Sequence, residues 1–337
     1  MVGTFSTVEK QELEKRLVAV KKYKKHHGQL VQRHYQRELW ALRTLGLESE
    51  TLARNNRVIY LLDAESTHGA HYLTFPYYEH TLLEFVEERN QPFALKVIHQ
   101  VAQGLDFLHS KGIIHCDLSP SNILVDEANQ HLVLADFGCA HLDSSSTSTY
   151  PDANFNSMEE IGTRYYKAPE HLFGYRVYQP ATDVWSLGTI FCHLLLGHPI
   201  FDGQSDLEQI GILVRALGAP SAKVKSEEMS VYPDFDKLVF FGDSQQQRTG
   251  DDEDNEFTDD EENDHYDNDD DNDEEDSNNE QPDIAKMPNA KPFGLGTILH
   301  ESLIEPSDQT LIRRMLTWSL KERITVKEIL KLVHPPE

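Results

Sequence analysis

The sequence predicts an α+β fold with two lobes, a small β-rich lobe over residues 1–79 and a larger helical lobe over residues 80–337. One observation is that short β-rich runs are concentrated before residue 80, whereas helical periodicity dominates after it. The other is that a set of polar motifs, described below, requires a cleft between two parts of the chain. With 337 residues, the chain is long enough to build two such lobes.

The small lobe is predicted to hold three strands and one helix. Residues 17–20 (LVAV) are β-rich and flanked by charge, and residues 58–62 and 71–75 are two further strand-like runs with a His-Gly turn between them. Apolar residues from 31 to 45 recur at helical spacing, and Gly46 follows as a helix C-cap. The strand that would precede Gly3 is missing from the pattern, so the small sheet is predicted to lack its first strand and to have an exposed edge.

Helical spacing dominates the larger lobe. Residues 93–109 place a row of apolar side chains on one helix face. Residues 123–125 and 132–134 are short apolar runs that predict a hairpin. Further helices are predicted over residues 183–196, 206–217, 308–318 and 325–333.

The net charge of −26 belongs mainly to one segment. In residues 251–276, 18 of the 26 side chains are acidic and none is Lys or Arg, so the rest of the chain carries only about −8, which is ordinary for a soluble surface. Residues from about 243 to 290 have almost no apolar side chains and are predicted to be a disordered insertion. This acidic insertion is either inert solvated chain or a segment that recruits a basic partner.

The composition disfavours several classes of protein. The N-terminal residues have no apolar region of a signal peptide, and no apolar run approaches the roughly 20 residues of a membrane span. The three cysteines and 17 histidines do not follow the spacing of a zinc site. The basic run at residues 21–27 lacks the aromatic platform that nucleic-acid binding uses. We therefore expect an intracellular protein, in the nucleus or the cytoplasm or both, that binds no membrane and no nucleic acid.

Two short motifs carry the chemistry of phosphoryl transfer. That reaction needs a carboxylate to orient and deprotonate the attacking hydroxyl, and it needs oxygen ligands for Mg²⁺. Residues 115–122 (HCDLSPSN) supply both on one turn, with Asp117 as the base and Asn122 as an amide ligand. Asp136, which begins a DFG sequence after an apolar run, adds a carboxylate at a strand end. Either motif alone also fits an ordinary polar turn.

Three further motifs follow in order along the chain. They are residues 162–170 (GTRYYKAPE), residues 183–188 (DVWSLG) and Arg323, which is placed to pair with a buried Glu170. Five elements in one order at workable spacing make coincidence implausible. From about residue 3 to residue 333, apart from the acidic insertion, the chain resembles a eukaryotic protein kinase.

This resemblance implies a two-lobed kinase fold that uses ATP and Mg²⁺. Asp117 would be the catalytic base, and Asn122 and Asp136 would hold Mg²⁺. Lys21 would hold the α- and β-phosphates of ATP, and Glu38 would pair with Lys21. Gly3 would belong to the glycine loop and Phe75 would be the gatekeeper. The hinge would run from Pro76 to Tyr78. The adenine ring would be sandwiched by Val8, Ala19 and Leu124.

Longer segments narrow the resemblance to the cyclin-dependent-kinase group. HYLTFPYYEHTLLEF, YYKAPEHLFG and LVRALGAPS are similar to the fungal monomeric kinases that activate cyclin-dependent kinases, and PDFDKLVFF also resembles the vertebrate cell-cycle-related kinase. The segment RHYQRELWALRTL does not resemble a PSTAIRE-type cyclin-binding helix. The resemblance therefore implies a serine/threonine kinase that acts on a protein substrate, the activation-loop threonine of a cyclin-dependent kinase, and that requires no cyclin.

Three departures from the kinase pattern leave alternatives open. Only the second half of a glycine-rich loop is present, Cys116 replaces an Arg that pairs with an activation-loop phosphate, and Ser119 replaces a Lys that contacts the γ-phosphate. Loss of that Lys is expected to slow transfer by roughly 10²-fold without abolishing it. We expect an active enzyme that does not need activation-loop phosphorylation. The alternatives are another cyclin-dependent-kinase-like kinase, or a nucleotide-binding pseudokinase that acts as a scaffold.

Overall fold

An antiparallel sheet forms the first part of the chain in the computed structural model, which describes residues 6–24, 28–67, 69–126, 131–144, 163–241 and 294–334. The strands of this sheet, in spatial order, are β1 (Thr7–Leu13), β2 (Arg16–Lys24), β4 (Ala70–Pro76) and β3 (Asp63–Ser66). β2 and β4 confirm the strands predicted at residues 17–20 and 71–75. Gly3 and the acidic insertion lie outside the described residues.

The central position of β2 in the sheet fixes the direction of its side chains. β2 pairs with β1 on one side and with β4 on the other, with Lys21 opposite Leu73 of β4. Because successive side chains of a strand point to opposite faces, Lys21 and Tyr23 share one face. Both side chains are buried, and both reach α1 (Gln29–Thr44).

α1 confirms the helix predicted from the apolar spacing of residues 31–45. Its buried residues include Val31, Tyr35 and Leu42, which belong to the hydrophobic core. The helix ends before Gly46, whose φ of 62° is in the left-handed region where glycine is favoured. The C-cap itself is Leu45, and the glycine predicted to end the helix lies directly after it.

The strand predicted at residues 58–62 is wrong. Val58 forms only a single bridge with Leu134, and the amide of Ile59 donates to the Leu134 carbonyl at 2.9 Å. This apolar run is thus tied to a strand of the later part of the chain, and Arg57 with φ 59° turns the backbone just before it. The strand that pairs with β4 on the side away from β2 is the polar segment β3.

Helices dominate the rest of the described chain, and most of the predicted ones are confirmed. The strands are β5 (His80–Thr81), β6 (Ile113–Ile114), β7 (Ile123–Asp126), β8 (His131–Leu134) and β9 (His141–Leu142), with β7 and β8 forming the predicted hairpin. The helices are α2 (Glu50–Asn55), α3 (Gln91–Ser110), α4 (Pro169–Leu172), α5 (Pro180–Leu196), α6 (Asp206–Leu217), α7 (Ala222–Glu227), α8 (Leu295–Glu301), α9 (Pro306–Met315) and α10 (Val326–Leu332). Within the part of the chain that is described, no helix combines the length and the apolar character needed to span a membrane.

One predicted helix is shorter than expected. α9 ends at Met315, whereas the prediction ran to residue 318. Leu316 leaves helical geometry, and the Trp318 indole donates to the Gly218 carbonyl at 2.9 Å. Trp318 therefore packs in the hydrophobic core, and it does not continue the helix.

α5 is the buried centre of the helical part. Trp185 on this helix is fully buried, and α5 approaches α9 so closely that a Cβ at Gly188 would lie 2.8 Å from the Met315 Cβ. Beside α5, Arg323 makes the predicted buried pair with Glu170 through two bonds of 3.0 and 3.1 Å. This pair joins the start of α4 to the last part of the described chain.

Candidate active site

The turn that holds Asp117 is fixed by a buried carboxylate. Asp183 of α5 accepts hydrogen bonds from the backbone amides of His115 and Cys116, at 2.9 and 3.0 Å. Cys116 has φ 64°, a conformation that is strained for a residue with a side chain. Burial alone would raise the pKa of Asp183, but the hydrogen bond from His109 and the loop amides lower it. An ionised Asp183 thus holds the backbone turn in place.

Both oxygens of the Asp117 carboxylate have donors. The Asn122 amide donates to Asp117 Oδ2 at 3.0 Å and to the Asp117 backbone carbonyl at 2.8 Å. Thr163 donates to Asp117 Oδ1 through its backbone amide at 2.8 Å and through its hydroxyl at 3.0 Å. Burial and the charge of Asp136 raise the pKa of Asp117, which makes this carboxylate a better proton acceptor.

Lys21 lies between two carboxylates. Its Nζ is 2.8 Å from Glu38 Oε2 and 2.9 Å from Asp136 Oδ1. Burial alone would lower the pKa of Lys21, but the charges of Asp136 and Glu38 raise it well above its usual value. The predicted pairing of Lys21 with Glu38 is therefore observed. The same ammonium also contacts the Asp136 carboxylate.

The DFG turn packs directly against α1. Asp136 has φ 62°, and its Oδ1 accepts from the Gly138 amide at 3.3 Å. The ring of Phe137 is fully buried, and its centroid lies 5.1 Å from that of the His115 ring. A Cβ at Gly138 would lie 3.1 Å from His34 Nδ1 of α1, so the turn and the helix approach closely here.

A cavity of about 360 Å³ opens beside these groups. All the residues predicted to contact nucleotide or metal, apart from Gly3, line it: Val8, Ala19, Lys21, Glu38, Phe75, Pro76, Tyr78, Asn122, Leu124 and Asp136. Asp117 is joined to this cavity through Asn122. The arrangement brings a proton acceptor, a cation and two oxygen ligands to one cleft.

Sequence reasoning missed Lys10, which lines the cavity. Lys10 lies over the ring of Tyr77 at 4.2 Å from the centroid, and both residues line the cavity. The signal for Lys10 was available, because it follows Val8 by two residues in β1 and so faces the same side of the sheet. Tyr77 falls within the hinge predicted over residues 76–78, but its side-chain direction depends on how β4 ends.

The donor set of the cleft fits Mg²⁺ and a nucleotide. Asn122 uses its amide nitrogen on Asp117, which leaves the amide oxygen available as a ligand beside the Asp136 carboxylate. Hard oxygen ligands of this kind, few in number, are what Mg²⁺ takes when phosphate supplies the rest. No group of three or more His, Cys, Asp or Glu side chains is arranged as a metal site within the described ranges.

Comparison with known proteins agrees with this geometry. The protein kinase domain family matches residues 2–334. The chain belongs to the protein kinase family. Cyclin-dependent kinase 20 of Homo sapiens is 35% identical over 191 residues, covering 55% of this chain and 53% of that protein. Cyclin-dependent kinase D-1 of Oryza sativa subsp. japonica is 35% identical over 204 residues, covering 59% and 46%.

A third relative, cell division control protein 2 homolog 3 of Trypanosoma brucei brucei, is 37% identical over 184 residues, covering 53% of this kinase and 56% of that protein. The chain thus spans about half the length of the curated relatives that it matches. The two-lobed α+β kinase fold and the likeness to cyclin-dependent kinases are confirmed. The roles of the individual site residues, and the division into lobes at residue 79, stay predictions.

The two departures near Asp117 have small neutral side chains in this kinase. Ser119 is buried, and its hydroxyl has no hydrogen-bond partner in the described structure. Cys116 packs against Ile114 and Cys139, and burial raises the pKa of its thiol. Neither side chain brings positive charge to the catalytic loop.

Proposed function

We propose that this kinase is an active enzyme that transfers the γ-phosphate of Mg-ATP to serine or threonine hydroxyls of proteins. The observation that carries the proposal is that the proposed base, the cation and the proposed metal ligands contact one another around one cleft. Lys21 bridges Glu38 and Asp136 at 2.8 and 2.9 Å, and Asp117 has both carboxylate oxygens oriented.

The residues of the chain divide the reaction between them. Asp117 accepts the proton of the substrate hydroxyl, and its raised pKa favours this step. Thr163 and Asn122 fix the direction of the carboxylate by holding one oxygen each. Lys21 offers its ammonium to the phosphate oxygens. Asn122 and Asp136 would hold Mg²⁺, which neutralises phosphate charge when it is bound.

The proposed substrate is the activation-loop threonine of a cyclin-dependent kinase. Two observations support it. Relatives named as cyclin-dependent kinases are 35% identical over 55% and 59% of this chain, and several segments resemble the fungal kinases that activate cyclin-dependent kinases. We also propose that no cyclin is required, since Glu38 on α1 already contacts Lys21 in the isolated chain.

Transfer of radiolabelled phosphate from Mg-ATP to an unphosphorylated cyclin-dependent kinase tests the proposal. We expect labelling by this kinase and none by its Asp117→Asn variant. A substrate whose activation-loop threonine is replaced by alanine should remain unlabelled. Labelling of generic basic proteins but not of the cyclin-dependent kinase would instead support a different kinase of the same group.

The second candidate function is a nucleotide-binding scaffold without transfer activity. Ser119 favours it, because a buried unpaired hydroxyl stands where serine/threonine kinases have a Lys. Binding of Mg-ATP without any phosphate transfer, to the cyclin-dependent kinase and to basic proteins alike, would support the scaffold.

A further inference from the structure

Two neighbouring donors of β2 converge on one carboxylate of α1. Lys21 Nζ lies 2.8 Å from Glu38 Oε2, and the Tyr23 hydroxyl donates to the same oxygen. The two side chains share a face of the strand because they are two residues apart. Tyr23 is only 1% exposed, so no water competes for its hydroxyl.

Lys21 does not pair with Glu38 alone. Its ammonium is also 2.9 Å from Asp136, and it is the group that would meet the phosphates of ATP. Burial raises the pKa of Glu38, so a buried carboxylate here needs hydrogen bonds in order to stay ionised. A neutral hydroxyl offers such a bond, and it does not leave when anionic phosphates attract the ammonium.

The ring of Tyr23 belongs to a series of contacts that joins the sheet to α1. It lies edge-on to Tyr35 of α1, with centroids 5.6 Å apart. Tyr35 in turn stacks on His71 of β4 at 4.0 Å, and His71 is hydrogen-bonded to Ser66 of β3 at 2.6 Å. These contacts therefore fix the position of the Tyr23 hydroxyl beside Glu38.

We propose that Tyr23 is a positioning residue, whose hydroxyl anchors Glu38 and thereby holds α1 and Lys21 in the arrangement that receives the phosphates of ATP. Tyr23 acts through Glu38 and does not touch the nucleotide. In this way the chain fixes α1 from within its own sheet. The inference rests on the proposed nucleotide chemistry of the cleft, but not on the identity of the protein substrate.

The test compares Tyr23→Phe with Tyr35→Phe in the full chain. Each variant loses one hydroxyl from the same aromatic cluster, but the Tyr35 hydroxyl faces Ser66 at 3.4 Å and not Glu38. The affinities for Mg-ATP and for adenosine are measured by calorimetry. Adenosine reports the adenine end of the cavity, and the difference between the two ligands isolates the phosphate end.

We expect Tyr23→Phe to weaken Mg-ATP binding by about tenfold, the lower end for a hydrogen bond to a charged group, and to leave adenosine binding unchanged. Tyr35→Phe should change neither affinity. Equal effects of the two variants on Mg-ATP would overturn the proposal. Loss of adenosine binding in Tyr23→Phe would do the same, because the hydroxyl would then support the fold and not Glu38.

A double substitution adds a readout that a purely structural role does not move. Once Glu38 is replaced by Ala, which leaves no acceptor for the Tyr23 hydroxyl, removing that hydroxyl should weaken Mg-ATP binding by less than about twofold, because their coupling has been lost. A full tenfold effect in the Glu38→Ala background contradicts the proposal. Normal Mg-ATP binding by the unsubstituted kinase without phosphate transfer would count against the proposed function and leave the role of Tyr23 standing.

Discussion

Arg323→Ala is expected to lower the free energy of unfolding by about 3–5 kcal/mol, because it leaves the Glu170 charge buried without its partner. Neither side chain of this pair has exposed surface. Arg323 donates to Glu170 at 3.0 and 3.1 Å, to the Ala181 carbonyl at 2.8 Å and to the Thr317 carbonyl at 3.0 Å. One substitution therefore removes four hydrogen bonds and one buried positive charge.

The size of this loss should depend on pH in a defined direction. Burial alone would raise the pKa of Glu170, but Arg323 lowers it in the intact protein. A carboxyl group with a lowered pKa stabilises the fold above its unfolded pKa of about 4.3, and this stabilisation is lost as the pH falls through the folded value. In Arg323→Ala burial acts without the guanidinium, so the pKa of Glu170 rises and its protonation relieves the variant as the pH falls. The gap between the two proteins should narrow from about pH 7 to about pH 5.

Urea unfolding of the full chain, followed by tryptophan fluorescence at both pH values, measures this gap. Arg314→Ala is the matched control, because its pair with Glu328 is 2.8 Å long but leaves 43% and 46% of the two side chains exposed. The control should lose much less stability than Arg323→Ala, because an exposed ion pair contributes little to the free energy of unfolding. Similar losses for the two variants, or a gap for Arg323→Ala that stays constant with pH, would refute the reasoning.

Three other substitutions probe a donor, a close contact and a buried imidazole. Thr163→Val removes the hydroxyl that lies 3.0 Å from Asp117 Oδ1, and initial rates should show kcat lowered about five- to tenfold with the KM for ATP unchanged; an unaltered kcat contradicts this. Gly188→Ala places a Cβ 2.8 Å from Met315, and urea titration should show a loss of about 1–3 kcal/mol. Burial lowers the pKa of His141 to about 3, so its neutral ring stabilises the fold above pH about 6.5 and less as the pH falls. The free energy of unfolding of His141→Phe, measured by urea titration, should therefore fall less between pH about 6.5 and about 5 than that of the unsubstituted protein. An equal fall in the two proteins would count against this role.

The helical part of the fold was predictable because its helices bury one face over many turns. Residues 93–109 and 206–217 were identified from that spacing, and α3 and α6 follow them closely. The error at residues 58–62 has a different origin. An apolar run indicates burial, but it does not say which element buries it, and here the partner is Leu134. The true strand, β3, has the polar sequence DAES and carries little signal of its own.

The site was predictable where chemistry restricts the residue type. A base, two oxygen ligands and a cation can be named from motifs, and Lys21, Asn122 and Asp136 do meet at one cavity. Contacts that depend on packing were not visible. The hydrogen bond of Tyr23 to Glu38 requires knowing that β2 lies under α1, and the position of Lys10 over Tyr77 requires the end of β4.

The missing positive charges at positions 116 and 119 affect the reaction more than the shape of the catalytic loop. The turn at Cys116 is held by Asp183 through backbone amides, which any residue except proline would offer at that position. The direction of Asp117 is set by Asn122 and Thr163, so it does not depend on a cation at position 119. What Ser119 cannot supply is charge near the transferred phosphate, where one electrostatic donor is worth roughly 10²-fold in rate. A slow enzyme with a well-formed site is therefore the outcome that the geometry favours.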